Sequence, residues 1–364
     1  MASVTPDFPA LPDAHRIATK QEARMRTPIL AGLALATLVA GAAWAGVPYP
    51  ASTLITGIDW DTSSYRSAGR GGDIWAPSSG ADGNVYAAWG DGAEGCRRKV
   101  SYGVAALPPA PAAAPATTGC GPEGEGHGKI ISLLDVHGTL YAVMLVRERA
   151  WPGSPTEIWR SDDHGRTWRQ PGWSFTGSNL RPQSFVNFGP GYAGARDGYV
   201  YLTAVRGTGR PDRFFLVRAP VSSLGLRGAY QYLAGTNGRG SPLWGSGPEQ
   251  ATPVFVDGRG VDGPQIAFDA GVGRYLLTVA HHGGGRIGVF EAAEPWGAWR
   301  TVTYGDGWLG ITGGEYLGIE LPTRWIADGG RTVWAVFSCY GRGACGRYHD
   351  RLNLMRATLR VAGR

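Results

Sequence analysis

Two aspartates bracket the first hairpin legible in the chain: Asp73 in Gly72-Asp73-Ile74-Trp75, and Asp91 in Trp89-Gly90-Asp91-Gly92. Between them Ala81-Asp82-Gly83 supplies the turn. With the turn centred on Asp82, positions whose numbers sum to 164 face each other, which sets Asp73 opposite Asp91. Opposed residues of an antiparallel pair have Cα atoms about 4.5–5.5 Å apart. Two carboxylates so placed resist joint ionisation, so one should keep its proton to higher pH. A paired acid and base is what glycoside hydrolysis needs, and a short separation favours retention. The bland alternative makes Asp91-Gly92 a turn and Asp73 a strand cap; structural networks perturb carboxylates too.

Other side chains are weaker candidates for the same mouth. Trp75, Trp89 and Tyr192 would stack on sugar faces if exposed, although core packing is the default for each. Asp59, beside Trp60 upstream, would reach the mouth or serve a loop. His281, in His281-His282 at a strand end, would face inward, where a satisfied core histidine is the commoner outcome. Glu249, Glu315 and Glu320 read as residues of Gly-rich loops and would supply a third carboxylate. There is no G-x-S-x-G elbow, P-loop or H-E-x-x-H pattern, and no cofactor or metal is expected.

The elements that must hold these residues repeat. A Gly-containing turn precedes a short strand with an aromatic at Asp82–Tyr86, His137–Tyr141, Asp197–Tyr201, Gly273–Tyr275 and Gly330–Trp334. Apolar runs such as Ile130–Val136 and Gln265–Phe268 come before, and a further strand follows each: Val100–Ala105, Glu157–Arg160, Phe214–Val217, Ile287–Glu291 and Asn353–Ala357. Five units over the chain from residue 46 predict an all-β, five-bladed β-propeller in a single domain, residues 46–364. The Pro/Ala segment Leu107–Thr118 reads as a loop within it. Aligned on Tyr86, the other units place Gly128/Val146, Phe188/Arg206, Asp262/Ala280 and Leu321/Cys339 at the two aspartate positions, so only the first carries the pair. Ser161-Asp162-Asp163-His164-Gly165-Arg166-Thr167-Trp168 matches an Asp-box, whose aspartate caps backbone N–H groups; it marks the fold and not the chemistry.

Composition excludes other classes. With 58 Gly and 25 Pro among 364 residues and 11% aromatics, the chain is neither a helical bundle nor disordered. The net charge of +6 comes from scattered arginines, with Lys20, Lys99 and Lys129 as the sole lysines. No basic stripe forms, so nucleic acid is not an expected partner. The apolar run 28–45 ends in Ala43-Trp44-Ala45, which reads as a signal peptide with its start at Met25 and cleavage before Gly46; an uncleaved anchor is the alternative. Residues 1–45 are therefore set apart as extension and leader, and the product is expected to be periplasmic or secreted, a monomer with no membrane span beyond the leader. Four cysteines allow three pairings; the local one, Cys96–Cys120 with Cys339–Cys345, closes the shortest loops. Zinc would want closer spacing or histidines, and an exported chain favours disulfides.

At these residues the sequence resembles a bacterial family, the DUF4185 family. The resemblance runs through Ile58-Asp59-Trp60-Asp61, 71–92 (GGDIWAPSSGADGNVYAAWGDG), 99–105, 128–141, 161–168, 185–201, 214–220, 253–258, 293–297 and 321–338. Some members are endo-acting D-arabinanases with a five-bladed propeller fold. The resemblance thus implies a glycoside hydrolase acting on a furanosyl polysaccharide such as D-arabinan. It also implies that Asp73 and Asp91 occupy the acidic positions of the family's D-x-W and G-D-G motifs. After Trp75 the chain reads Ala-Pro-Ser-Ser where the family often has a second Trp, and the loop after Gly92 carries Cys96 and the Pro/Ala insertion. A non-catalytic glycan-binding propeller is the alternative from another class. A sialidase would repeat the Asp-box, which occurs here once.

Overall fold

The computed structural model describes residues 46–69, 71–146, 153–177 and 179–363, so the leader lies outside the described residues. Strands dominate. β1 (Ile55–Ala68) is the first strand among the described residues. The first meander is β2 (Asp73–Ser79), β3 (Val85–Gly92), β4 (Val100–Leu107) and β5 (Ala116–Cys120). The second is β6 (Lys129–Val136), β7 (Thr139–Leu145) and β8 (Thr156–Ser161). The third is β9 (Arg181–Asn187), β10 (Tyr199–Val205), β11 (Arg213–Pro220), β12 (Gln231–Thr236), β13 (Pro242–Gly245) and β14 (Pro253–Val256). The fourth is β15 (Asp262–Asp269), β16 (Arg274–Ala280), β17 (Ile287–Ala292) and β18 (Arg300–Gly305). The last is β19 (Glu315–Glu320), β20 (Thr332–Tyr340) and β21 (Leu352–Val361), with β1 added along β21.

The recurrent turn-plus-aromatic signal begins β3, β7, β10, β16 and β20, the second strand of every meander. Alternation and Gly-containing turns set these hairpins locally. The end of the Pro/Ala loop differs from its reading: Ala116–Cys120 pairs with β4 as a fourth strand.

Packing links the meanders in a cycle. One apolar cluster joins the first and second through Tyr86, Val104, Leu133 and Ala142. A large one joins the second, third and fourth through Val143, Phe185, Tyr201 and Phe290. Another joins the fourth to the last through Leu276, Val289 and Phe337. The remaining cluster joins the last back to the first, with Trp75 and Trp89 against Val336, Leu352 and Leu354. The first strands touch in the same cycle: β2 with β6, β6 with β9, β9 with β15, β15 with β19, and β19 with β2. Among the described residues strand pairing crosses one of these boundaries, a two-residue parallel pairing of β9 with β15, and no sheet closes on itself.

Both local disulfides are present, Cys96–Cys120 and Cys339–Cys345, with Cα atoms 6.1 and 5.8 Å apart. Non-reducing peptide mapping should recover these two links, each contributing about 2–4 kcal/mol. Four titratable thiols in unfolded, unreduced protein would contradict the pairing. The Asp-box behaves as a capping turn: Asp163 accepts from the Thr167 N–H at 2.9 Å and from its hydroxyl at 2.7 Å.

Candidate active site

The first strand of every meander carries one extra residue against its neighbour. On β2, Ile74 and Trp75 together oppose a single residue of β3. Ile131 is the extra residue of β6 and Gln183 that of β9. The same irregularity falls at Gly263–Pro264 on β15 and at Leu317–Gly318 on β19. A bulge bends its strand and re-aims a side chain. Here Ile74, Ile131, Gln183, Gly263, Leu317 and Gly318 all line one cavity of about 390 Å³. Five strands from five meanders thus converge on a common pocket, of a volume suited to a small ligand or a few sugar rings.

The bulge on β2 also corrects the hairpin register. Ser79↔Val85, Ser78↔Tyr86, Pro77↔Ala87 and Ala76↔Ala88 pair as a turn centred on Asp82 requires. Beyond the bulge Asp73 faces Gly90, and not Asp91. Ile74 and Trp75 adopt left-handed φ of 71° and 53°, and Asp91 one of 46°. Such conformations cost non-glycine residues about 1–3 kcal/mol each and cluster at functional sites. Gly90 is needed where it stands, because a Cβ there would lie 2.6 Å from Asp73 Oδ1. The alignment of units holds for Asp262↔Ala280. It misplaces the third and last, where Arg181 faces Val205 and Tyr316 faces Cys339.

The two carboxylates are nevertheless brought together, by a residue that spacing did not single out. Lys129, first on β6, places Nζ 2.7 Å from Asp73 Oδ2 and 2.6 Å from Asp91 Oδ2. The two accepting oxygens are therefore within about 5.3 Å of each other. Oδ1 of each aspartate has no hydrogen-bond partner among the described residues. Asp73 lines the cavity, as does Lys129; Asp91 stands behind the lysine, outside the lining. Burial pushes the Asp73 carboxyl up to about 6, against the opposing pull of Lys129, and the charge of Asp91 adds a smaller upward push. A raised carboxyl was expected from like-charge repulsion; desolvation is the larger cause.

The rest of the cavity is polar. Glu315 accepts from Arg210 at 2.8 Å. Asp262 is raised by burial, partly offset by His282. Glu320, Gln265 and Gln183 complete that side, and Tyr340, 61% exposed, stands at the edge. Glu315 and Glu320, read as loop residues, are the two ends of β19. Glu249 lies elsewhere, in a short turn at Pro248–Gln250.

The expected sugar-stacking residues are not at the mouth. Trp75 and Trp89 are both 0% exposed and form the seam between first and last meanders. Tyr192 is buried, its hydroxyl donating to Tyr199 O at 2.9 Å. Asp59 lies on β1 and pairs with Arg360 of β21, away from the cavity. His281 is buried, with Nδ1 2.8 Å from Gly260 O, and burial lowers its imidazole. For the three aromatics and His281 an aromatic body or a backbone partner made burial the better outcome. Among the described residues no cluster of His, Cys, Asp and Glu is arranged to hold a metal.

Residues 131–339, more than half of the chain, match the family described as "Domain of unknown function (DUF4185)". Asp73, Asp91 and Lys129 lie upstream of the matched stretch. No curated protein matches. Among solved structures, a provisionally named hydrolase from Bacteroides ovatus superposes with a TM-score of 0.54 at 12% identity, over 80% of this chain and 87% of the other. A provisionally named exo-β-1,3-galactanase from Bifidobacterium bifidum gives 0.51 at 9% identity, over 85% and 97%. A GH43_1 enzyme from Xanthomonas citri gives 0.49 at 15%, over 82% and 92%. Likeness at this identity speaks for a shared fold, one that glycosidases use, and for nothing finer.

Proposed function

The chain belongs to the DUF4185 family, and from that premise we propose that it is an exported glycoside hydrolase cutting a furanosyl polysaccharide such as D-arabinan. The observation that carries the proposal is the convergence of Asp73 and Asp91 on Lys129 at a cavity lined by five inner strands. The packing cycle of the meanders supports a five-bladed propeller, with the cavity on its axis. Two disulfides support export; no described helix is long and apolar enough to cross a membrane.

In this reading Asp73 is the acid. Its carboxyl, held up to about 6 by burial, keeps a proton to give to the leaving oxygen. Asp91 is the base or nucleophile, and Lys129 holds both carboxylates in one place through their Oδ2 atoms, leaving each Oδ1 without a hydrogen bond among the described residues. Lys129 thereby acts as a positioning residue. A non-catalytic glycan-binding role is favoured by one observation: the lysine occupies an oxygen of each carboxylate, as a purely structural ion pair would. A screen of the purified protein against polysaccharides that include mycobacterial arabinan separates the two. New reducing ends from arabinan are expected; tight binding to a glycan with no cleavage of any member of the panel would establish the binding role instead.

A further inference from the structure

We propose that Glu320, with Gln265 on the same wall, forms a hydroxyl-binding subsite of the cavity that takes a neutral saccharide through a hydrogen bond donated by the Glu320 carboxyl. The proposal takes its ligand class from the glycoside reading and does not depend on the chemistry of Asp73 and Asp91.

Glu320 ends β19 and is only 4% exposed, yet it lines the cavity. Its carboxyl has no hydrogen-bond partner and no ion-pair partner among the described residues. A carboxyl so placed is costly unless it stays protonated or meets a ligand. Burial raises it well above its ordinary value, which favours the protonated form. A protonated carboxyl is a donor as well as an acceptor, the pairing a sugar hydroxyl needs.

The backbone around it keeps the approach open. Gly318 has φ +89°, and a Cβ built on it would meet Glu320 Oε1 at 3.9 Å. Gly263, φ +49°, faces it across the wall, its own Cβ position 3.5 Å from Gly318 Cα. Both glycines sit in the bulges of their strands, so these two positions of the wall beside Glu320 carry no side chain. Gln265, which follows the bulge of β15, offers amide donors and an acceptor to the same space.

Several charged or titratable groups share the cavity with Glu320: Asp73 on β2, Lys129 on β6, Asp262 on β15, Glu315 on its own strand, Arg210, and Tyr340 on β20. Tyr316 also lines it, but its hydroxyl donates to Trp308 O. A pH dependence of binding belongs to Glu320 only if it disappears when Glu320 alone is changed.

The test is calorimetric titration of the full protein with neutral arabino-, xylo- and galacto-oligosaccharides between pH 5 and 9. Wild type should bind at least one of them and lose affinity as the pH rises through the titration of Glu320. Glu320→Gln, which keeps donor and shape, should bind about as tightly at low pH and lose that dependence. Glu320→Ala should bind about tenfold more weakly at pH 5, the worth of one hydrogen bond. Unchanged affinity in Glu320→Ala, an unchanged pH dependence in Glu320→Gln, or no binding of any neutral oligosaccharide overturns the subsite. Should Glu320→Ala fail to fold, the pH dependence in Glu320→Gln decides. Binding without cleavage by wild type removes the hydrolase reading and leaves the subsite standing; cleavage with unchanged affinity in Glu320→Ala does the reverse.

Discussion

Asp91→Asn and Asp73→Asn each lower kcat/KM on arabinan by about two to four orders of magnitude, the usual worth of a positioned acid or base. The two losses differ in kind. In the proposed mechanism Asp73 delivers a proton, so an aryl oligoarabinoside whose leaving group needs none should restore much of the rate to Asp73→Asn and little to Asp91→Asn. The pH profile separates them again. The proton on Asp73 is lost as pH rises through about 6, so wild-type activity on arabinan falls on that side. Asp73→Asn has no such limb. Stability moves in the same direction as activity. The folded state raises Asp73 from an ordinary 3.8 to about 6, so its contribution to stability is full below about 3.8 and is lost as pH rises through 6. Asp73→Asn therefore costs little stability above pH 6. Comparable turnover by wild type and both variants, measured as reducing ends per minute, would remove the carboxylate couple from the mechanism.

Lys129→Met destabilises the protein by about 3–5 kcal/mol at pH 8, because it leaves two carboxylates without their shared cation in a largely buried place. The loss is pH-dependent. Without the lysine, Asp73 titrates at still higher pH, since the lysine is what pulls it down. The penalty is then full where Asp73 is charged in both folded and unfolded chains, and it shrinks as pH falls toward about 4, where protonation removes the unpaired charge. Denaturant titrations at pH 4.5 and pH 8 measure the difference. An equal loss at both would mean that Lys129 matters through the packing of its stem and not through its charge.

The meander pattern was legible because it is local: turn, aromatic and alternation lie within a few residues, and each such signal starts a second strand. The hairpin at Asp82 was legible for the same reason as far as Ala76. The arithmetic failed at Ile74 and Trp75, where the strand takes left-handed backbone without a glycine to announce it. The pairing of Asp73 with Asp91 survived that error because Lys129, from the next meander, gathers both. Nothing in the spacing joins residues 73 and 129. A signal did exist: in a chain whose cations are nearly all arginine, a lysine marks a place for a compact point charge. Burial of Trp75, Trp89 and Tyr192 was not legible, since an aromatic reads alike in a seam between sheets and on a sugar platform. Glu320 was read as a loop residue because Gly313, Gly314 and Gly318 around it suggested turns; in the strand, Gly318 accommodates a bulge.

The pairing of β1 with β21 has a consequence in time. Among the described strands the first waits for the last, and partner residues such as Ile58 and Leu359 are separated by almost the whole domain. Closing so long a loop adds only logarithmically to the entropic cost, but contacts of this separation form late. Until Leu352–Val361 arrives, β20 and β1 each present a raw edge able to recruit foreign strands. A chain stalled or clipped before residue 352 therefore has every meander begun and none of the seam finished. It would be sticky and easily degraded, so the ten-residue strand Leu352–Val361 is the piece that protects the edges of both its neighbours.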